Sequence, residues 1–201
     1  MMARPTDRAP RADAVRNAAA ILEAAQTCLA EDPHATMSRI AEAAGVGRVT
    51  LYGHFATRAE LVDAVFRNVS ERSVELLHDV DTAGDPVDAL VRIVRASWRV
   101  VHRYRGLLAA AETELPPERI RSQHDPHLTR MTELIHRGQA SGDFRSDLTA
   151  DWLVTVTYSV MHAAAREFST GNMALEEGER AVVATVVAAV TPTGSGGSVR
   201  V

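Results

Sequence analysis

Around the apolar Leu51 and Phe55, the stretch "GRVTLYGHF" (Gly47–Phe55) gathers Arg48, Thr50, Tyr52 and His54 on one short segment. An arginine can bridge two acceptors of guanine, and Val49 beside it can meet a thymine methyl. A hydroxyl, a phenol and an imidazole are good phosphate partners, which fix register without reading sequence. A solvated helix with a polar face is the competing reading of the same spacing. Two other constellations carry chemistry. His124, Asp125 and His127 ("HDPH"), with His102 or His162, offer transition-metal ligands. Pro126 is expected to interrupt the helix there, which removes the rigid spacing a metal site would use. Ser159 and His162 fall on one helix face, but no third group or oxyanion motif accompanies them, so no enzyme is expected. Neither a metal nor a cofactor is expected.

The elements that must position these groups all read as helices. From Asp13 to Glu31, Val15, Ala18, Ile21, Leu22, Ala25 and Leu29 recur at helical spacing. After "EDPH", Thr36 suits the N-cap of a short helix that runs to Ala44, and Gly45 can take the left-handed conformation that ends it. A third helix follows over about 47–55. "TRAE" forms a capping box, Thr57 reaching forward and Glu60 back, for a long fourth helix towards Asp79. Beyond it the spacing predicts helices over 87–102, 107–113, 128–139, 149–168 and 175–190. "ELPPERIRSQHDP" reads as irregular or partly helical. The fold class expected is all-α, with an N-terminal three-helix helix-turn-helix followed by a larger helical domain. Residues 1–12 read as a flexible arm in which Arg4, Arg8 and Arg11 could meet phosphates, 13–60 as the first domain, 61–191 as the second, and 192–201 as a flexible tail.

Composition narrows the setting. The 201 residues are 46% hydrophobic, enough for a substantial core, and the lone Cys28 sits in a helical pattern as a small buried hydrophobe. No apolar run approaches a membrane span and no apolar segment opens the chain, so a cytoplasmic protein without a membrane partner is expected. All 22 basic residues are arginine, and the net charge is −4. Residues 1–60 carry seven Arg against seven acids; the remainder is acidic. Any anion-binding surface must therefore be local.

Two short helices joined around Gly45 and Val46 fit a helix-turn-helix whose second helix enters the major groove. "TMSRIAEAAGVGRVTLYGHFATRAEL" (Thr36–Leu61) resembles the DNA-binding signature of TetR-type transcriptional regulators: the turn glycine, the Thr-Leu-Tyr run, the His-Phe pair and the capped helix that follows. The resemblance implies that Thr36 caps the second helix near phosphate, and that Ser38 and Arg39 reach phosphates or a base edge. It places Arg48 and Val49 against bases, and Thr50, Tyr52 and His54 on the backbone. Arg58 stands where the family usually has a lysine. Val49, Gly53 and Gly47 depart from the usual pattern, so an operator sequence does not transfer from relatives.

The same resemblance implies that residues beyond about 60 bind an inducer and form a homodimer. On the helix 149–168, Leu153, Val156, Val160 and Ala164 line one face, with Thr155, Ser159, His162 and Arg166 on another. The last helix offers Val183, Val186, Val187 and Val190 beside Ala184 and Ala188, small enough for close helix contact. Trp98, His102, Met131, Tyr158 and His162 are the candidate pocket residues, since a small-molecule site needs an apolar pocket with a few polar groups. The expected function is that of a ligand-responsive regulator, a repressor released from a palindromic double-stranded operator by a small apolar inducer. A metal-responsive or constitutive DNA-binding regulator is the alternative.

Overall fold

The computed structural model describes residues 9–169 and 174–192, and every regular element among them is an α-helix. In chain order these are α1 (Ala9–Glu31), α2 (Met37–Ala43), α3 (Arg48–His54), α4 (Arg58–His78), α5 (Pro86–Arg103), α6 (Arg105–Glu114), α7 (Pro117–Ser122), α8 (Asp125–Ser141), α9 (Ala150–Ser169) and α10 (Leu175–Val190). Residues 1–8 of the expected arm, with Arg4 and Arg8, and the expected tail from residue 193 onward lie outside the described residues. None of the described helices is long and apolar enough to cross a membrane.

The chain divides into two compact units. One comprises the residues up to Ser70 together with Gly106–Arg121; the other comprises Glu71–Arg105 and the residues from Ser122 on. The domain boundary expected at residue 60 thus falls inside the first unit. In that unit α1, α2 and α3 pack on one another, and Ile21, Leu29, Ile40 and Leu51 are fully buried. In the second, α5, α8, α9 and α10 enclose Trp98, Ile135, Phe144, Leu153 and Val186. Gly138 admits no side chain there, because a Cβ would fall within the Phe144 ring.

Proline accounts for most of the differences from the expected elements. α1 starts at Ala9 rather than Asp13, with Pro10 in its first turn. α8 starts at Asp125, so Pro126 opens this helix instead of interrupting it. A first-turn proline loses no helical hydrogen bond, since its N–H would have had no intrahelical acceptor. Part of "ELPPERIRSQHDP" is likewise helical, as α7. On α9 the buried stripe is Leu153, Val154, Thr157, Met161 and Ala165, rotated from the expected one. Val156, Val160 and Ala164 are only half-buried, and His162, expected on the polar side, is buried. So many of this helix's positions are apolar that periodicity alone picks no face; packing does.

Candidate nucleic-acid interface

The turn that presents α3 is built from local hydrogen bonds. Thr36 caps α2 by accepting the Arg39 N–H at 3.2 Å. Gly45, at φ +66°, reverses the chain after Ala44, while the Val46 N–H donates to the Ala41 carbonyl at 3.0 Å. Gly47 then opens α3 without a side-chain cap. Leu51 alone of α3 is fully buried, and this single anchor decides which residues face out. Arg48 and Tyr52 are exposed, and Thr50 and His54 are half-buried. Val49 is 88% exposed, an unusual position for a β-branched apolar side chain on a helix that packs against its own unit. α3 therefore shows water an arginine, an apolar methyl pair and a phenol.

Behind α3, Ser38 is half-buried in the first turn of α2, and Arg39 is exposed with its guanidinium 3.7 Å from Glu31 and 3.8 Å from Asp32. Such exposed pairs are weak, so Arg39 can exchange these acids for phosphate at little cost. The capping box closes in a shifted form: the Glu60 N–H donates to Thr57 Oγ1 at 3.1 Å, and Glu60 accepts from the Ala56 N–H at 2.8 Å. Arg58 differs from the other candidates. Its Nε donates to Glu114 at 2.8 Å, one terminal nitrogen to the Pro33 carbonyl at 2.6 Å and the other to the Ala35 carbonyl. The guanidinium is engaged inside the protein instead of offered to a phosphate. Glu114 was not visible as a partner in the sequence, because no local pattern links positions 56 residues apart.

In the second unit the candidate pocket residues fall into two groups. Trp98 is fully buried and donates from Nε1 to the Leu175 carbonyl at 3.4 Å. His102 stands 6.2 Å from its ring and edge-on to Phe168 at 4.2 Å. Its Nε2 is buried with no hydrogen-bond partner among the described residues. Burial, then the Arg105 charge, push the His102 pKa below its ordinary 6.5, with Glu176 opposing. Burial thus favours the neutral imidazole, whose Nε2 finds no match among the described residues. The other group stacks Tyr158 on His162 at 4.0 Å, with His124 at 5.3 and 5.5 Å from them and His127 at 6.5 Å from His124. Met131 is buried in the same core. Among the described residues no three His, Cys, Asp or Glu are placed to hold a metal ion. Ser159 does not join His162: its hydroxyl donates back to the Thr155 carbonyl at 2.8 Å, and it is exposed.

Residues 21–65, which span this helix-turn-helix, match the family model described as bacterial regulatory proteins, tetR family. Over this segment the chain is similar to the TetR family. A TetR-family relative, the HTH-type transcriptional repressor LfrR of Mycolicibacterium smegmatis, is 40% identical over 79 residues, 39% of this chain and 42% of that protein. The match thus spans less than half of that repressor's length. Over the whole fold, the structure of LfrR from Mycobacterium smegmatis in complex with proflavine superposes with a TM-score of 0.61 at 25% identity, covering 89% of this chain and 98% of that one. The transcriptional regulator FadR of Bacillus subtilis, in complex with stearoyl-CoA, shares this fold with a TM-score of 0.70 at 17% identity, covering 85% of this chain and 98% of that one.

Proposed function

We propose that this chain is a homodimeric, ligand-responsive transcriptional repressor that binds a palindromic operator and is released by a small apolar molecule. The observation that carries the DNA-binding half is the outward face of α3, where Arg48, Tyr52 and the 88% exposed Val49 stand free of their own core. An apolar residue left in water beside an arginine fits a thymine methyl next to a guanine. On this reading residues 13–60 carry the DNA contacts, with Thr36, Ser38, Arg39, Thr50, Tyr52 and His54 fixing register, and sensing and dimerisation lie within residues 61–191. The half-exposed Trp152 and the exposed Ala163, Ala184, Thr185 and Ala188 on α9 and α10 suit a two-fold helical interface. A two-fold protein in turn suits palindromic half-sites.

The sensing half rests on the Nε2 of His102, buried without a partner among the described residues. A buried polar atom without a partner costs free energy that a ligand hydroxyl, carbonyl or amine would offset. That two relatives of this fold hold proflavine and stearoyl-CoA supports an organic ligand over a metal or a constitutive regulator. A ligand weakens DNA binding only by its preference for the conformation that DNA does not select. The test is a selection of bound sequences from a random duplex pool, followed by titration of the selected duplex complex with proflavine and with stearoyl-CoA. Enrichment of a palindrome and release by either probe are expected. A chain that enriches no sequence would refute DNA reading, and a complex that both probes leave intact would count against an apolar inducer.

A further inference from the structure

We infer that Arg58 and Glu114 are positioning residues for DNA binding, and that Gly106–Arg121 belongs to the DNA-reading machinery although it lies far outside the helix-turn-helix in sequence. This rests on the reading that the chain binds DNA through α3. Arg58 and Glu114 are each about three-quarters buried, at 24% and 25% side-chain exposure. One guanidinium bonds three acceptors on two segments: Glu114 at the end of α6, and the carbonyls of Pro33 and Ala35 in the α1–α2 connection. Ala35 immediately precedes Thr36, the residue that caps α2. The fork therefore fixes the entrance to the helix-turn-helix, and Glu114 fixes the fork.

Two further contacts hold the same segment. Arg119 of α7 clasps Asp63 of α4 with two bonds, at 2.7 and 2.8 Å. Gly106 lies so close to the end of α1 that a Cβ there would stand 2.6 Å from the Ala30 carbonyl oxygen. The connection from α1 to α2 is thus gripped at Ala30 by Gly106 and at Pro33 and Ala35 by Arg58. A planar guanidinium with donors in a fixed fork can do this; a lysine ammonium, as a point charge, cannot hold all three partners in that geometry.

Charge gives the inference a distinctive sign. Removing a carboxylate from a DNA-binding protein strengthens its attraction to a polyanion, whereas removing a positioning carboxylate weakens the specific complex. The test uses the full chain and the duplex enriched by random selection, with affinities measured per active dimer across a salt series. Glu114→Gln is expected to weaken operator binding roughly five- to tenfold, the size typical of residues that act without touching the ligand. Affinity for random-sequence DNA should change much less, and the salt slope should stay that of the wild type. Arg58→Lys should show the same pattern although it keeps the charge. A loss of folded protein would lower operator and random binding in equal proportion, and counting active dimers removes it. Should Glu114→Gln not fold, Asp63→Asn reports through the exposed pair and should also weaken operator binding. Three results overturn the inference: Glu114→Gln or Asp63→Asn binding the operator as well as or better than wild type, Arg58→Lys matching wild type, or Arg58→Gln lowering the salt slope by about one, as a lost phosphate contact would. A wild-type chain that selects no DNA overturns the underlying reading, and this inference with it.

Discussion

Replacing Arg48 by alanine separates base reading from every structural role of that side chain. Arg48 is exposed, is the first residue of α3, and its side chain makes no hydrogen bond or ion pair among the described residues. Its loss leaves no cavity and strands no partner. A cation at a helix N-terminus opposes the helix dipole by about 0.3–1 kcal/mol, and alanine is the better helix former. The variant should therefore melt at the wild-type temperature or slightly above it. If Arg48 bridges guanine, each half-site loses about 1–3 kcal/mol, and a two-fold complex loses about 2–6 kcal/mol. Per half-site that is roughly a five- to 150-fold drop in affinity. The assay is competition binding of wild type and Arg48→Ala against duplexes carrying each of the four base pairs at every half-site position. Preference should relax at one position per half-site and persist at the others. An equal loss on all duplexes, with the preference profile unchanged, would refute base contact and make Arg48 a phosphate anchor.

Other consequences can be checked alongside it. Tyr52→Phe and His54→Ala should weaken binding to all duplexes by a similar factor, because phosphates carry no sequence information; a shifted base preference in the same competition assay would contradict this. Gly138→Ala should destabilise the second unit by about 1–3 kcal/mol in urea unfolding, since the new methyl must displace the Phe144 ring. His102 has a folded pKa below its ordinary 6.5, so as pH falls below about 6.5 the unfolded chain takes up the proton first and stability declines. Unfolding followed between about pH 7.5 and 5.5 should show a smaller acid loss for His102→Gln than for wild type; equal losses would mean that His102 titrates alike in both states.

How far the residues alone carry depends on how local the physics is. Helix capping, turn formation and the outward set of α3 act within a few residues, and there sequence and structure agree: Thr36 caps α2, Gly45 takes positive φ, and Leu51 turns in while Arg48, Val49 and Tyr52 turn out. The all-helical class follows from the same local periodicity. Pro126 reads as a break in the sequence because a proline is disruptive in a helix interior and harmless in a first turn, and only the actual helix start decides which applies. The α9 stripe was legible only in part, since a helix with few polar positions can bury several faces and its neighbours choose among them. The destination of Arg58 was not legible. An arginine beside a recognition helix reads as a phosphate contact until the folded chain brings Glu114 and two backbone carbonyls to it, and those partners are set by long-range packing. The all-helical class, the helix-turn-helix and its outward residues are readable from the chain, because each follows from interactions within one or two helical turns. Which polar groups are satisfied inside, and which, like His102 Nε2, are left without a partner among the described residues, is settled by long-range packing, because it depends on what distant segments bring alongside.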